Sequence, residues 1–182
     1  MIFVALLRGI NISGKNKISM KELKLGFEQI GYTEVTTYLN SGNVIFSSNI
    51  KDNDIIVDSI QNMIKNKFEL DIPVFVISIN DLKEILDNKP SWCKVEDKEI
   101  YNNIIFIMSP YTYQDIYDGL GDPNEKIEKI KNYKNSIFWS YILKEYRKTN
   151  WWSRTANTSV KDFITIRTVN TITKLVELSN KN

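Results

Sequence analysis

The order of apolar segments along the chain limits its possible folds more than any other feature. Residues 1–79 run from an apolar strand to an amphipathic helix, a two-stranded hairpin, a second helix and a further strand. In a β-α-β-β-α-β unit of this kind, the first and third strands are the central, antiparallel pair. The first half is therefore predicted to form a four-stranded antiparallel sheet with two helices.

Local signals support each of these elements. Segment 2–8 is a continuous apolar run as far as Leu7 and ends at Arg8, which is typical of a strand in the interior of a sheet. Ser19 and Glu22 have the spacing of a capping box, so a helix is predicted to begin there. Alternating apolar residues on both sides of Gly42 predict a hairpin that turns at this glycine.

The same order of elements recurs after a connecting helix and loop at residues 80–100. The predicted elements are a strand at 103–108, a helix opened by Ser109-Pro110, strands at 126–131 and 136–142, a helix near 157–163, a strand at 164–168 and a C-terminal helix at 170–179. Residues 101–182 are therefore predicted to form a second β-α-β-β-α-β subdomain, which ends in the C-terminal helix. The fold class is α+β.

Composition excludes several classes of function. Apolar residues make up 42% of the 182 residues and charged residues 25%, which is typical of a folded globular protein. A net charge of +2 is too small to indicate a nucleic-acid or membrane partner by itself. The chain has no histidine, which excludes Ser-His-Asp and Cys-His catalysis and nearly all zinc sites. No metal and no cofactor are predicted.

The single cysteine, Cys93, has no partner for an internal disulfide, which is typical of a reducing compartment. The apolar N-terminus is interrupted by Arg8 and is too short for a signal segment, and no apolar run is long enough to span a membrane. We therefore expect a cytoplasmic protein without a membrane partner.

Informative residues are predicted to meet at one edge of the first sheet. The end of strand 1 must lie beside the start of strand 3, and the loop after strand 1 leads into a helix N-terminus. The candidate ligand-binding residues there are Arg8, Gly9, Asn11, Gly14, Lys15, Asn16, Lys17, Ser41, Gly42 and Asn43. Basic side chains and helix amides both favour a bound anion.

Each candidate has an expected role. Arg8 is the main anion contact, and Lys15 and Lys17 support it. Asn11, Ser41 and Asn43 orient the ligand, while Gly9, Gly14 and Gly42 let the backbone approach it. The spacing matches neither a phosphate-binding P-loop nor a dinucleotide fingerprint. The alternative is structural: Gly9 and Gly14 shape a turn, Arg8 caps a carbonyl and the lysines are solvated.

Several segments resemble a known family. They are Leu6-Leu7-Arg8-Gly9-Ile10-Asn11, Gly14-Lys15-Asn16-Lys17, Ser41-Gly42-Asn43-Val44 and the closing motif Arg167…Asn170-Thr171…Lys174-Leu175…Glu177-Leu178. They are similar to signature segments of the bacterial domain-of-unknown-function 1697 family. One departure is Thr168-Val169, where the family usually has Asn-Trp. The resemblance implies a duplicated ferredoxin-like fold and no assigned activity.

The closing motif adds Arg167 and Asn170 to the candidate ligand-binding residues. These two residues either add a second ligand contact or have a structural role at the end of the fold. The family's Asn-Trp pair, which this chain replaces with Thr168-Val169, lies between them, so neither role follows directly from the resemblance.

Three classes of function remain open. A binding module for a phosphorylated or anionic ligand, either a nucleotide or nucleic acid, is favoured over a protein-interaction or regulatory module. An enzyme is less favoured, because Cys93 has no histidine to activate it. Aromatic and basic residues alternate at 146–148 and 151–154, as in some single-strand binders, but we favour a core role for the two tryptophans.

Overall fold

A computed structural model describes residues 1–93 and 97–180. The chain divides into two compact units. The first comprises Met1–Leu82 together with the residues from Lys174 onward, and the second comprises Lys83–Thr173. This division differs from the predicted boundaries in grouping the end of the C-terminal helix with the first unit. Within the described residues, no helix is both long and apolar enough to cross a membrane.

The first unit contains the six predicted elements. They are β1 (Ile2–Leu7), α1 (Met20–Gln29), β2 (Thr33–Tyr38), β3 (Asn43–Ser47), α2 (Asn53–Phe68) and β4 (Val74–Ser78). The strands form an antiparallel sheet in the order β2-β3-β1-β4, so β1 and β3 are the central pair. The predicted topology of the first half is confirmed.

The core of this unit lies between the sheet and its two helices. Phe3 and Phe46 stack with their ring centroids 5.9 Å apart, and Phe27 of α1 meets Phe46 at 5.3 Å. Helix α1 has Ser19 as its N-cap, as predicted, and the Ser19 hydroxyl accepts a hydrogen bond from the Glu22 amide. Burial of these large rings stabilises the unit.

The second unit has the same pattern. Its elements, with the two helices that cross the unit boundary, are α3 (Ile79–Asp87), β5 (Ile100–Ile107), α4 (Tyr113–Leu120), β6 (Glu128–Tyr133), β7 (Ser136–Ile142), α5 (Asn150–Asn157), β8 (Ile164–Thr168) and α6 (Val169–Ser179). The antiparallel strand order is β6-β7-β5-β8. Both sheets thus have the ferredoxin-like order, and the predicted α+β class with a C-terminal helix is confirmed.

Three local predictions in the second half are wrong. Helix α4 begins after Thr112, which forms a reciprocal capping box with Asp115, and not at Ser109-Pro110. Strand β6 begins at Glu128, two residues after the predicted start. Residues 143–157, for which no helix is predicted, form a 3-10 helix (Leu143–Lys148) and α5, while a second 3-10 helix (Ser159–Phe163) occupies the predicted helical region.

Candidate functional site

The loop after β1 lies against the hairpin turn between β2 and β3, as predicted. The Leu7 amide donates to the Gly42 carbonyl at 2.8 Å, and Asn11 Nδ2 donates to the Asn40 carbonyl at 2.9 Å. The Arg8 amide donates to the carbonyl of Pro73, which lies just before β4. The first unit therefore brings together the two predicted segments of the site.

Positive φ angles shape this loop. They occur at Gly9 (70°), Asn11 (55°), Ser13 (49°), Gly14 (78°) and Asn16 (47°). Such angles are uncommon for residues with a side chain, and asparagine and glycine tolerate them best. The polar, glycine-bearing sequence therefore suits a tightly folded loop, which agrees with the structural alternative for Gly9 and Gly14.

Asn11 fixes the loop to its surroundings through three hydrogen bonds. Its Nδ2 donates to the carbonyls of Ile18 and Asn40, both at 2.9 Å, and its Oδ1 accepts from the Ile18 amide at 2.9 Å. Asn16 Nδ2 donates to the Gly9 carbonyl at 3.0 Å. Both amide hydrogens of Asn11 are thus engaged within the protein, so this residue positions the loop.

An open depression of about 600 Å³ lies beside the loop, at the N-terminus of α1. Its lining residues are Asn11, Gly14, Lys17, Ile18, Ser19, Met20 and Asn40. Lys17 and the neighbouring Lys15 are exposed. The first amides of a helix lack partners within the helix, and the helix dipole adds positive potential there. The depression is therefore suited to a negatively charged group.

Two residues of the hairpin turn have structural contacts, and their ligand-binding roles stay predictions. Asn43 is fully buried, and its Nδ2 donates to the Tyr38 carbonyl at 2.9 Å and to Ser41 Oγ at 3.0 Å. Gly42 has a φ of 75°, and a Cβ atom there would lie 2.6 Å from Leu7 Cβ. Asn43 and Gly42 therefore build the turn, whereas the exposed Ser41 lies at the surface.

The role of Arg8 as the main anion contact stays a prediction. Arg8 is half-buried and is not among the residues that line the depression. Lys17 is the basic residue on that wall. The geometry thus favours Lys17 over Arg8 as the first charge that a ligand in the depression would meet.

Arg167 and Asn170 lie in the second unit. Arg167 is part of β8, and its Nη1 donates to Thr165 Oγ1 at 3.1 Å and to the Ile166 carbonyl at 2.8 Å. Asn170 is exposed in the first turn of α6. Their ligand contact stays a prediction, and the bonds of Arg167 within β8 agree with its structural alternative.

Sequence reasoning missed a buried carboxylate in the second unit. Glu128 is only 2% exposed, and it accepts hydrogen bonds from Trp139 Nε1 (3.1 Å) and from three backbone amides. Those amides belong to Asn124 (2.8 Å), Asn150 (2.7 Å) and Trp151 (3.1 Å). Two of them open α5, so Glu128 neutralises a helix N-terminus. A glutamate between Ile127 and Lys129 in a charged segment gives no sequence signal of burial.

A second depression, of about 420 Å³, lies on the second unit. It contains none of the predicted site residues. Its charged lining residues are of both signs, Asp97, Glu125 and Glu128 with Lys126 and Lys129, so it has no clear preference for an anion. Within the part of the chain that the structure describes, no group of three or more acidic or cysteine side chains could hold a metal ion.

Comparison with known proteins agrees with the sequence motifs. The model of the family described as "Protein of unknown function (DUF1697)" matches residues 1–138, which include every candidate segment except the closing one from Arg167. The solved structure of the conserved bacterial protein SP0830 from Streptococcus pneumoniae is similar over 97% of each chain, at 25% identity and a TM-score of 0.84. No curated protein matches. The chain belongs to the DUF1697 family.

Proposed function

We propose that the first unit binds a phosphorylated or otherwise anionic ligand, a nucleotide or a phosphate of nucleic acid, in the depression beside the loop. The observation that supports this proposal best is the joint presence of Lys17 and the α1 N-terminus on the wall of one depression. We also propose a cytoplasmic location, because the chain has a single cysteine.

The charges around the depression are few and can be tested separately. Lys15 and Lys17 attract an anion, whereas the exposed Glu22, in the first turn of α1, repels it. Ser19 engages the Glu22 amide at 3.5 Å, and the preceding amides of the first turn have no partner within the helix. A dianionic phosphate would therefore gain from one lysine and from helix amides, as phosphates do at other helix N-termini.

Isothermal titration calorimetry with inorganic phosphate, pyrophosphate and ATP tests the proposal. We expect Lys17→Ala to weaken binding by roughly tenfold, because a charge-assisted contact contributes about 1.5 kcal/mol. Glu22→Gln is expected to tighten it a few-fold, because a repulsive charge is removed. The matched control is Lys67→Ala, which removes an exposed lysine from the last turn of α2.

Two results would contradict the proposal. One is the absence of a heat of binding with all three anions, and the other is an equal loss of affinity in Lys17→Ala and Lys67→Ala. Arg8→Ala separates the two basic candidates. Because Lys17 lines the depression and Arg8 does not, we expect the smaller loss for Arg8→Ala.

One observation favours a protein-interaction module as a second candidate. Ile12 is 61% exposed and Leu39 is 54% exposed, and both directly adjoin the residues that the Asn11–Asn40 hydrogen bond joins. Exposed aliphatic side chains of this kind mark some interaction surfaces. Sedimentation velocity of the wild type and of Leu39→Ser tests self-association. Concentration-dependent association that the variant lacks would support this candidate with a second copy of the chain as the partner, and a monomer at every concentration would exclude that partner.

A further inference from the structure

We propose that the second unit carries a stacking surface for single-stranded nucleic acid. This aromatic–basic surface consists of Tyr146 and Trp152 with the basic residues Lys144, Arg147 and Lys148. It belongs to a different unit from the depression at α1, and it depends on separate observations.

The two adjacent tryptophans have opposite environments. Trp151 is fully buried, its Nε1 donates to the Gly121 carbonyl at 2.7 Å, and its ring packs near Trp139. Trp152 is 45% exposed. The expected core role is therefore confirmed for Trp151 and wrong for Trp152. A tryptophan with half of its surface in water is unusual, since this side chain is largely buried on average.

Trp152 is part of an ordered aromatic group. Its ring meets Tyr146 edge to face, with centroids 5.3 Å apart and planes at 81°. It meets the buried Tyr141 in the same manner at 5.9 Å. These two contacts hold the indole in place, and its 45% exposure leaves part of the ring accessible to a ligand.

Positive charge lies next to these rings. Arg147 places its Cζ 5.5 Å from the Tyr146 ring centroid, and its Nε donates to the Tyr146 hydroxyl at 2.9 Å. Lys144 and Lys148 are exposed, and Lys148 pairs with Glu145 at 2.6 Å. Three basic residues against one acidic residue leave this 3-10 helix positive. Arg154 is not part of the surface, because its Nη1 donates to the Leu120 carbonyl.

The backbone that carries the rings is held in place. Thr149 Oγ1 donates to the Tyr146 carbonyl at 2.6 Å and accepts from the Trp152 amide at 3.3 Å, so one side chain joins both ring-bearing segments. Glu128 binds the amides of Asn150 and Trp151 between them. Little conformational entropy is therefore lost when a ligand stacks on this surface.

Single-stranded nucleic acid fits this combination better than other ligands do. Every base has a flat face that stacks on an aromatic ring, and the phosphates of the same strand require nearby cations. A lone exposed aromatic side chain would indicate nothing. Here, one held indole, one tyrosine and three basic side chains lie within nine residues of sequence, 144–152.

Fluorescence anisotropy with labelled oligo-dT and oligo-U of about 12 nucleotides tests the proposal on the full chain. We expect the logarithm of the association constant to fall linearly with the logarithm of the salt concentration. The expected slope is roughly −1.4 to −2, which corresponds to two or three phosphate contacts. Trp152→Ala is expected to weaken binding roughly tenfold to a hundredfold. Trp152→Phe, which keeps a ring, should restore most of it.

The Arg147→Gln variant tests the contribution of positive charge. We expect it to bind more weakly and with a smaller dependence on salt concentration. Its matched control is Lys161→Gln, an exposed lysine elsewhere in the second unit, which should bind as the wild type does. Oligo-dU, which differs from oligo-U only in lacking the 2′-hydroxyl, shows whether the surface prefers DNA or RNA.

The proposal is wrong if neither oligonucleotide binds at about 50 mM salt, or if Trp152→Ala binds as tightly as the wild type. The Lys17→Ala variant distinguishes oligonucleotide binding at this surface from anion binding at the depression of the first unit. If Lys17→Ala abolishes oligonucleotide binding and Trp152→Ala does not, the strand binds at the α1 depression instead.

Discussion

At the scale of single residues, the buried side chain of Glu128 stabilises the second unit through its hydrogen bonds. Its carboxylate is buried and accepts hydrogen bonds from Trp139 Nε1 and from three backbone amides. Removal of the carboxylate would leave these donors without a partner. Buried groups that lose a charged partner are strongly destabilising.

We therefore expect Glu128→Ala to lower the free energy of unfolding by roughly 3 kcal/mol, as measured by urea denaturation. Glu125→Ala, at an exposed position three residues away, should change it by less than about 0.5 kcal/mol. Equal stabilities of the two variants would contradict the role assigned to Glu128.

Cys93 can be tested through its reactivity. The thiol is 1% exposed, and burial raises its pKa above the ordinary value. Because the folded protein holds the proton more tightly, less thiolate forms at about pH 8 than in a free cysteine. We expect slow labelling by a thiol reagent in the native protein and rapid labelling in urea. A labelling rate of the native protein equal to that of free cysteine would contradict the burial of Cys93.

At the scale of elements, a comparison of Gly9→Ala with Gly42→Ala distinguishes the cost of backbone strain from the cost of a steric clash. Gly9 and Gly42 both have positive φ. A Cβ atom at Gly9 would meet no atom of the described residues within 4 Å, whereas one at Gly42 would meet Leu7 and Ile10 at 2.6 and 2.9 Å. We expect Gly9→Ala to cost about 1 kcal/mol and Gly42→Ala about 2–4 kcal/mol in urea unfolding. A cost for Gly42→Ala no larger than that for Gly9→Ala would show that packing around the turn is unimportant.

Elements with local signals could be predicted from the sequence, and elements that depend on distant contacts could not. The hairpin turn at Gly42 and the start of α1 at Ser19 have their determinants within a few residues. Helix α5 has eight residues and depends on Glu128, more than twenty residues earlier, to bind its first amides. Periodicity over one short segment does not reveal such a partner.

At the scale of the whole molecule, two units of the same strand order carry different surfaces. The first has a depression at a helix N-terminus with Lys17. The second has the exposed Trp152 in contact with Tyr146, whose ring lies under Arg147. The meeting of the β1 loop with the hairpin turn was predictable, because the β-α-β-β-α-β order places these segments at one edge. The roles of Asn11, Asn43 and Arg8 were not, because side-chain direction and burial depend on the packed structure.

The central claim is that an anion binds at the depression beside α1, and an amide-resolved NMR titration of the labelled full chain with pyrophosphate tests it most directly. We expect the largest shifts at the amides of residues 14–22, with smaller shifts at residues 40 and 41. These amides lie on or next to the wall of the depression. Shifts confined to other parts of the chain, or no saturable shift at all, would contradict the claim.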